Sequence, residues 1–195
     1  AEIVRSVDAA VEVWREFTQP VALKIISSEA SHKSDQGLLV LDVDDAESVR
    51  SEAEKLFERA KRIDFEGLLV QTMAPPGVEL IIGLINDAHF GAMLLFGAGG
   101  IFVELMDRIT LRKVPVGANE IQWLLQQHPV YRLLTGYRGK ASCDIQALVK
   151  ILERIAVLGL KLGDRLDSLD INPAIVTSER VHVVDCRLKM KGGYS

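Results

Sequence analysis

Residues 78–100 read VELIIGLINDAHFGAMLLFGAGG. Val78 to Asn86 is an apolar run of strand length, and Ala92 to Phe96 is a second one. Asp87-Ala88-His89-Phe90 between them has the polar opening of a hairpin turn. Gly97-Ala98-Gly99-Gly100 then closes the return strand with a glycine turn. The stretch from Gly91 to Met106 is the most apolar of the chain, but it carries Glu104 and four glycines. It falls short of the roughly 20 apolar residues that a membrane span requires. The pattern therefore predicts a buried antiparallel pair, not a transmembrane segment.

Toward the N-terminus the period changes from two to helical. Ala9, Ala10, Val13, Trp14 and Phe17 share one face of a helix over Ser6–Phe17, with Ser6 as its cap and Pro20 as its stop. Val21–Ile26 and Leu38–Val43 read as strands, separated by a polar loop from Ser27 to Gly37. Asp44 and Glu47 fit a capping box, which starts a helix running to about Arg62. Its inward positions are Val49, Ala53, Leu56, Phe57 and Ala60, and Gly67–Met73 is a third strand.

Beyond the quoted stretch, Ile109–Val114 reads as a short strand, and helices follow at about Asn119–Gln127 and Ile145–Leu162. Leu169–Val176 and Val181–Val184 close the chain as a strand pair. Strands and helices in this order predict an α+β fold of two lobes. We expect an N-terminal lobe over 1–73, a C-terminal lobe over 74–190 and a tail over 191–195.

Composition narrows the function. The 195 residues carry a formal net charge of −4, with 48% apolar and 26% charged residues. That is ordinary for a folded globular protein and disfavours disorder. A duplex-coating nucleic-acid binder needs a basic face, which a mildly acidic chain does not supply. Cys143 and Cys186 are the two cysteines, far apart and outside any Cys-x-x-Cys pair. Two reduced structural thiols in a reducing, cytoplasmic compartment are expected, with no zinc site. No signal peptide is visible, and a start on Ala1 suggests a piece of something longer.

Some side chains stand out chemically. Lys24 sits inside the apolar run Val21–Ile26, where a free ammonium is costly; it is either a snorkelling lysine or a phosphate ligand in a cleft. His32 lies in the loop Ser31-His-Lys-Ser-Asp-Gln-Gly37, which is either a solvated turn or the seat of a nucleophilic imidazole. Exposed backbone N–H groups at Gly99 and Gly100 could cradle an anion, or the glycines could merely form a tight turn. Asp170 and Asn172 are two apart on a strand and share a face. A hairpin could bring Asn172 together with Asp185 as hard oxygen ligands of the kind Mg²⁺ accepts. Glu79 and Glu104 either pair structurally or line a site.

In combination these residues resemble the ATP-grasp domain of the NDP-forming acyl-CoA synthetases, which include the ADP-forming acetate–CoA ligases and, more distantly, the succinyl-CoA synthetase β subunit. The likeness runs through Pro20-Val-Ala-Leu-Lys24, His32-Lys-Ser-Asp35, Leu69-Val-Gln71-x-Met73, Pro76-Gly-Val-Glu79, Phe96-Gly-x-Gly99-Gly100, Gly136-x-Arg138-Gly139, Asp170-Ile-Asn172-Pro173 and Asp185-x-Arg187. It implies two α+β lobes that hold ATP or ADP between antiparallel sheets. Lys24 would reach the α- and β-phosphates. Backbone groups of Val70, Gln71 and Met73 would meet the adenine edge. Glu79, Gly99, Gly100 and Arg112 would belong to the nucleotide site, with a surface salt bridge as the other reading of Arg112 and of Arg138. Asn172 and Asp185 would bind Mg²⁺, Asp170 would lie near the transferred phosphoryl group, and His32 would relay phosphate between a second phosphohistidine and ADP.

The implied reaction is acyl-CoA + ADP + phosphate ⇌ acid + CoA + ATP. The CoA-binding and ligase domains would lie on another subunit or on the rest of a longer chain, with neither nucleic acid nor membrane as partner. Leu38 stands where the family often has a second glycine, Thr72 where an acidic residue is common, and Cys186 where a small residue is usual. A second expectation stays open at this point: a non-catalytic ATP-grasp module that regulates a larger protein, such as a fused protein acetyltransferase. Phosphorylation of His32 separates the two.

Overall fold

The computed structural model describes residues 1–27, 37–100, 108–139 and 141–192. The expectations for His32 and Glu104 fall outside those residues, as does the Arg138 side chain. The chain divides into two compact units, Ala1–Met73 and Ala74–Ser195.

The first unit is a four-stranded antiparallel sheet with two helices. Its elements are β1 (Glu2–Val4), α1 (Val7–Trp14), β2 (Val21–Ile26), β3 (Leu39–Val43), α2 (Ala46–Ala60) and β4 (Gly67–Thr72). The strand order is β1-β4-β2-β3. Ser6 caps α1 by accepting the Ala9 N–H at 3.2 Å. The cap of α2 is Asp45, not Asp44: its Oδ1 accepts the N–H groups of Glu47 and Ser48 at 2.9 and 2.8 Å. Those amides stand two and three residues beyond the cap, where an Asx side chain reaches them. Val49, Ala53, Leu56 and Ala60 of α2 and Val21, Leu23, Ile25, Leu68 and Val70 of the sheet share one buried core.

The second unit has β5 (Val78–Asp87), β6 (Gly91–Ala98), β7 (Ile109–Lys113), α3 (Ala118–Gln127), α4 (Tyr131–Leu134), α5 (Ile145–Leu162), β8 (Leu166–Val176), β9 (Val181–Val183) and β10 (Cys186–Met190). The order across its sheet is β10-β8-β5-β6-β7, with β9 also paired to β8. The turn from β5 to β6 is made by Asp87, whose Oδ1 accepts the N–H groups of His89 and Phe90 at 2.8 and 2.9 Å. Leu80, Ile82 and Leu84 of β5 and Leu94 and Phe96 of β6 pack with Ile121, Leu125, Leu148 and Leu152 of the helices. Each such side chain, fully buried, contributes roughly 1.5–3 kcal/mol. No helix among the described residues is long and apolar enough to cross a membrane.

Three elements depart from the sequence expectation. β1 and β10 occupy stretches to which the sequence reading assigns no element, yet both pair as edge strands. β10 carries two cations and is mostly exposed, so it shows no apolar alternation. Tyr131–Leu134 adds a single helical turn after Pro129.

Candidate functional site

The helices cover one face of the second sheet, so strand alternation assigns the other face. Leu80, Ile82 and Leu84 point to the helices; Glu79, Ile81 and Gly83 therefore point away. Gly83 lies opposite Asp170 on β8, and Asp170 lies opposite Arg187 on β10. The backbone N–H of Asn172 donates to the Asp185 carbonyl at 3.2 Å, continuing that register by two residues. Asp170, Asn172, Asp185 and Arg187 thus share the face away from the helices. Asp170 and Asn172 are exposed there, on either side of the buried Ile171.

A bulge sets this corner. Ile82 pairs with Ile171 but Leu80 pairs with Ala174, so the Asn172–Pro173 step opposes Ile81 alone. Such bulges re-aim side chains at sites. Cys186 stands between Asp185 and Arg187. Its thiol is pushed above the ordinary value, first by burial and then by the charges of Asp185 and Asp170. Cys143 is likewise free, and burial also raises its thiol.

Glu79 adjoins the glycine turn. The Gly99 N–H donates to the Glu79 carbonyl at 2.8 Å. Gly100 has φ +56°, and a Cβ there would overlap the Glu79 carboxylate. The glycines thus serve close approach to Glu79, and the Gly99 amide is committed to protein, as the tight-turn reading of this run has it.

Arg112 is not brought to this corner. It lies opposite Leu94, on the helix side of edge strand β7, and forms an ion pair with Glu120 of α3. Alternation along β7 puts Ile109, Leu111 and Lys113, not Arg112, on the face away from the helices. The salt-bridge reading of Arg112 is the one the geometry carries.

In the first unit, Lys24 is only 8% exposed. It alternates with the core residues Leu23 and Ile25, so it projects from the sheet face away from α1 and α2, opposite Leu69. Val70 lies on the core side opposite Leu23 and can offer only backbone. Gln71 lies opposite Ala22, on the side that Lys24 shares. β1 pairs with β4 only from Leu68 to Val70, and its register stops short of Gln71. The Met73 N–H donates to the Pro20 carbonyl at 2.9 Å, so at Met73 the carbonyl is the group that can meet a ligand.

Asn172 and Asp185 are an amide oxygen and a carboxylate, the hard donors that Mg²⁺ takes. No group of three or more His, Cys, Asp or Glu side chains able to hold a metal occurs among the described residues. Two protein oxygens suit an ion that keeps its other positions for water and phosphate.

Comparison with known proteins agrees with this architecture. A profile of the ATP-grasp domain matches residues 1–190. The chain is 34% identical over 197 residues to the acetate–CoA ligase [ADP-forming] II subunit beta of Pyrococcus furiosus, covering 98% of this chain and 84% of that protein. It is 35% identical over 189 residues to the acetate–CoA ligase [ADP-forming] I of Archaeoglobus fulgidus, covering 95% of this chain but 27% of that protein. Among solved structures it resembles the dinucleotide-forming acetyl-coenzyme A synthetase 1 of Ca. Korarchaeum cryptofilum in complex with coenzyme A and Ca-AMPCP. There the TM-score is 0.90 and the identity 37%, covering 97% of this chain and 84% of that one. A second structure of that synthetase holds coenzyme A and Mg-AMPPCP, with its phosphohistidine segment pointing towards the nucleotide binding site; the TM-score is 0.81, the identity 35%, and the coverage again 97% and 84%.

Proposed function

The chain belongs to the ATP-grasp domain family, alongside the β subunits of ADP-forming acetate–CoA ligases, and from that premise we propose that it is the nucleotide-binding, phosphoryl-transferring part of an ADP-forming acyl-CoA synthetase. The overall reaction is acyl-CoA + ADP + phosphate ⇌ acid + CoA + ATP. The observation that supports it best is the placement of Asp170, Asn172 and Asp185 on one face of a single hairpin.

Lys24 neutralises the α- and β-phosphates, and its near-complete burial keeps that interaction from being screened. Val70, Gln71 and Met73 meet the adenine edge through the backbone, at Met73 through the carbonyl. Glu79, pressed by Gly100, borders the nucleotide. Asn172 and Asp185 hold Mg²⁺, which would supply charge neutralisation for the phosphates. Asp170 lies beside the transferred phosphoryl group. His32 accepts it, so that a phosphohistidine carries the group between the nucleotide and the thioester chemistry. Positioning and electrostatics supply most of the catalysis of such a transfer.

The CoA-binding and ligase domains are proposed to lie on another subunit or on the rest of a longer chain. The chain covers most of the Pyrococcus β subunit but only 27% of the single-chain Archaeoglobus ligase. A reducing, cytoplasmic setting agrees with two free thiols. These relatives are ligases, which favours turnover over a purely regulatory role.

The test is phosphate transfer to His32 in the assembled ligase. ATP labelled at its γ-phosphate, with Mg²⁺, should leave acid-labile label on this chain. The label should be lost in His32→Ala and strongly reduced in Asp170→Asn. Label retained in His32→Ala would remove the relay from this residue.

A further inference from the structure

One charged member of the hairpin face takes no part in the transfer just described. Arg187 is the Cα partner of Asp170, and Asn172 and Asp185 face each other two residues along. The four side chains form a two-by-two array. Directly opposite Cβ atoms in such a pair are about 4.5–5.5 Å apart and diagonal ones about 7–8 Å. An arginine is long enough to span the diagonal, so from this position its guanidinium can reach a ligand held between Asp170 and Asp185. Asp170, Asp185 and Arg187 are each engaged in polar or charged interactions, as a cross-strand array requires.

The charge arithmetic gives Arg187 its purpose. The two carboxylates of Asp170 and Asp185 would be balanced by one Mg²⁺, which leaves this corner with no net positive charge of its own to hold a polyphosphate. The next cation on the same face of β10, Lys189, is tied to Asp167 at 2.8 Å. Lys113 of β7 stands opposite Met93, across the sheet from β10. Neighbouring positions on this face hold Gly83, Ile81 and Leu95. Arg187 is thus the cation adjacent to Asp170 among the described residues. Its planar fork matches phosphate bidentately, which a lysine does not.

We propose that Arg187, set opposite Asp170 across β8 and β10, binds the terminal phosphate of the nucleoside triphosphate and makes the site favour ATP over ADP. This rests on the assignment of Asn172 and Asp185 to the metal-bound phosphates. It differs from the role of Lys24, whose phosphates both nucleotides share.

Calorimetric titration of the full chain with ATP and with ADP, both with Mg²⁺, tests it. Arg187→Ala should weaken ATP about tenfold or more, the loss of one charge-assisted hydrogen-bonded pair, and ADP by less than about twofold. Arg187→Lys should recover part of the ATP affinity and Arg187→Gln none. Equal weakening of both nucleotides, or of neither, overturns the proposal while leaving the metal-site assignment intact. If the wild-type chain binds neither nucleotide, or if Asn172→Ala/Asp185→Ala binds Mg-ATP unchanged, the underlying site reading fails and this inference falls with it.

Discussion

Asn172 donates its backbone N–H to the carbonyl of Asp185 at 3.2 Å. Two oxygen-bearing side chains are therefore held side by side where the register of β8 with β9 and β10 runs on through Val184–Asp185, the two-residue break between those strands. The bulge at Asn172–Pro173 lets β8 serve this hairpin while still pairing with β5 on its other edge. The separation of the two donors is thus fixed by backbone hydrogen bonds that persist without any ligand, which is the preorganisation that phosphoryl transfer exploits.

Lys24→Met should weaken ATP and ADP alike, by about tenfold or more, because a charge-assisted contact to shared phosphates is lost. Lys24 is also buried and engaged within the fold, so the substitution should cost about 1–3 kcal/mol of folding free energy through the partner left behind. Titration calorimetry alongside urea unfolding separates the two effects. Unchanged nucleotide affinity would return Lys24 to a structural role.

Gly100→Ala should destabilise the second unit by about 1–2 kcal/mol, since its φ of +56° is left-handed. The new methyl would also displace the Glu79 carboxylate. Adding Glu79→Ala should relieve the contact but not the backbone cost. Urea unfolding of the three variants checks this: complete recovery in the double variant would mean that φ carries no strain.

Asp45→Ala should cost about 1 kcal/mol through loss of the α2 cap, and Asp44→Ala much less. Thermal unfolding midpoints of the two variants give the order directly. The reverse order would restore the cap to Asp44.

His128 should make stability fall in mild acid. It is 2% exposed; one ring nitrogen, Nδ1, accepts the Val130 N–H at 3.1 Å, while Nε2 meets the Arg108 carbonyl at 2.8 Å. Burial lowers its pKa from 6.5; the hydrogen bond to the Arg108 carbonyl partly opposes this and the Arg108 charge adds to it. The folded state thus refuses a proton that the unfolded chain takes up below pH 6.5. Stability from this group is complete above that pH. It declines below it by at most about 1.4 kcal/mol per unit, until the folded pKa is reached. Urea unfolding at about pH 7.5 and about pH 5.5 should show a smaller acid loss in His128→Gln than in the wild type. Equal losses would assign the acid sensitivity elsewhere.

Part of the fold is legible in the sequence because local chemistry decides it. Val21–Ile26 and Ile145–Leu162 have the expected bounds, since apolar periodicity alone defines a buried strand and an amphipathic helix. The β5–β6 turn is equally legible, because the Asp87 side chain bonds backbone amides two and three residues on. What long-range register decides is not legible. Asp44 and Asp45 are chemically identical candidates, and only the backbone at Ala46 chooses between them. Arg112 reads equally as a nucleotide ligand or a salt-bridge partner, because nothing local tells which face of β7 it takes. Arg187 draws no role of its own because β10 carries no apolar alternation to mark it as a strand, although Asp185-x-Arg187 repeats the spacing of Asp170-x-Asn172.

The most direct measurement is calorimetric titration of the wild-type chain and of Asn172→Ala/Asp185→Ala with ATP, with and without Mg²⁺. Both side chains stand away from the helix-covered core, so the variant should fold normally by circular dichroism. The account predicts Mg²⁺-dependent binding in the wild type and its loss in the variant. Binding of equal strength in both, or indifferent to Mg²⁺, would contradict the assignment of this hairpin to the metal-bound phosphates.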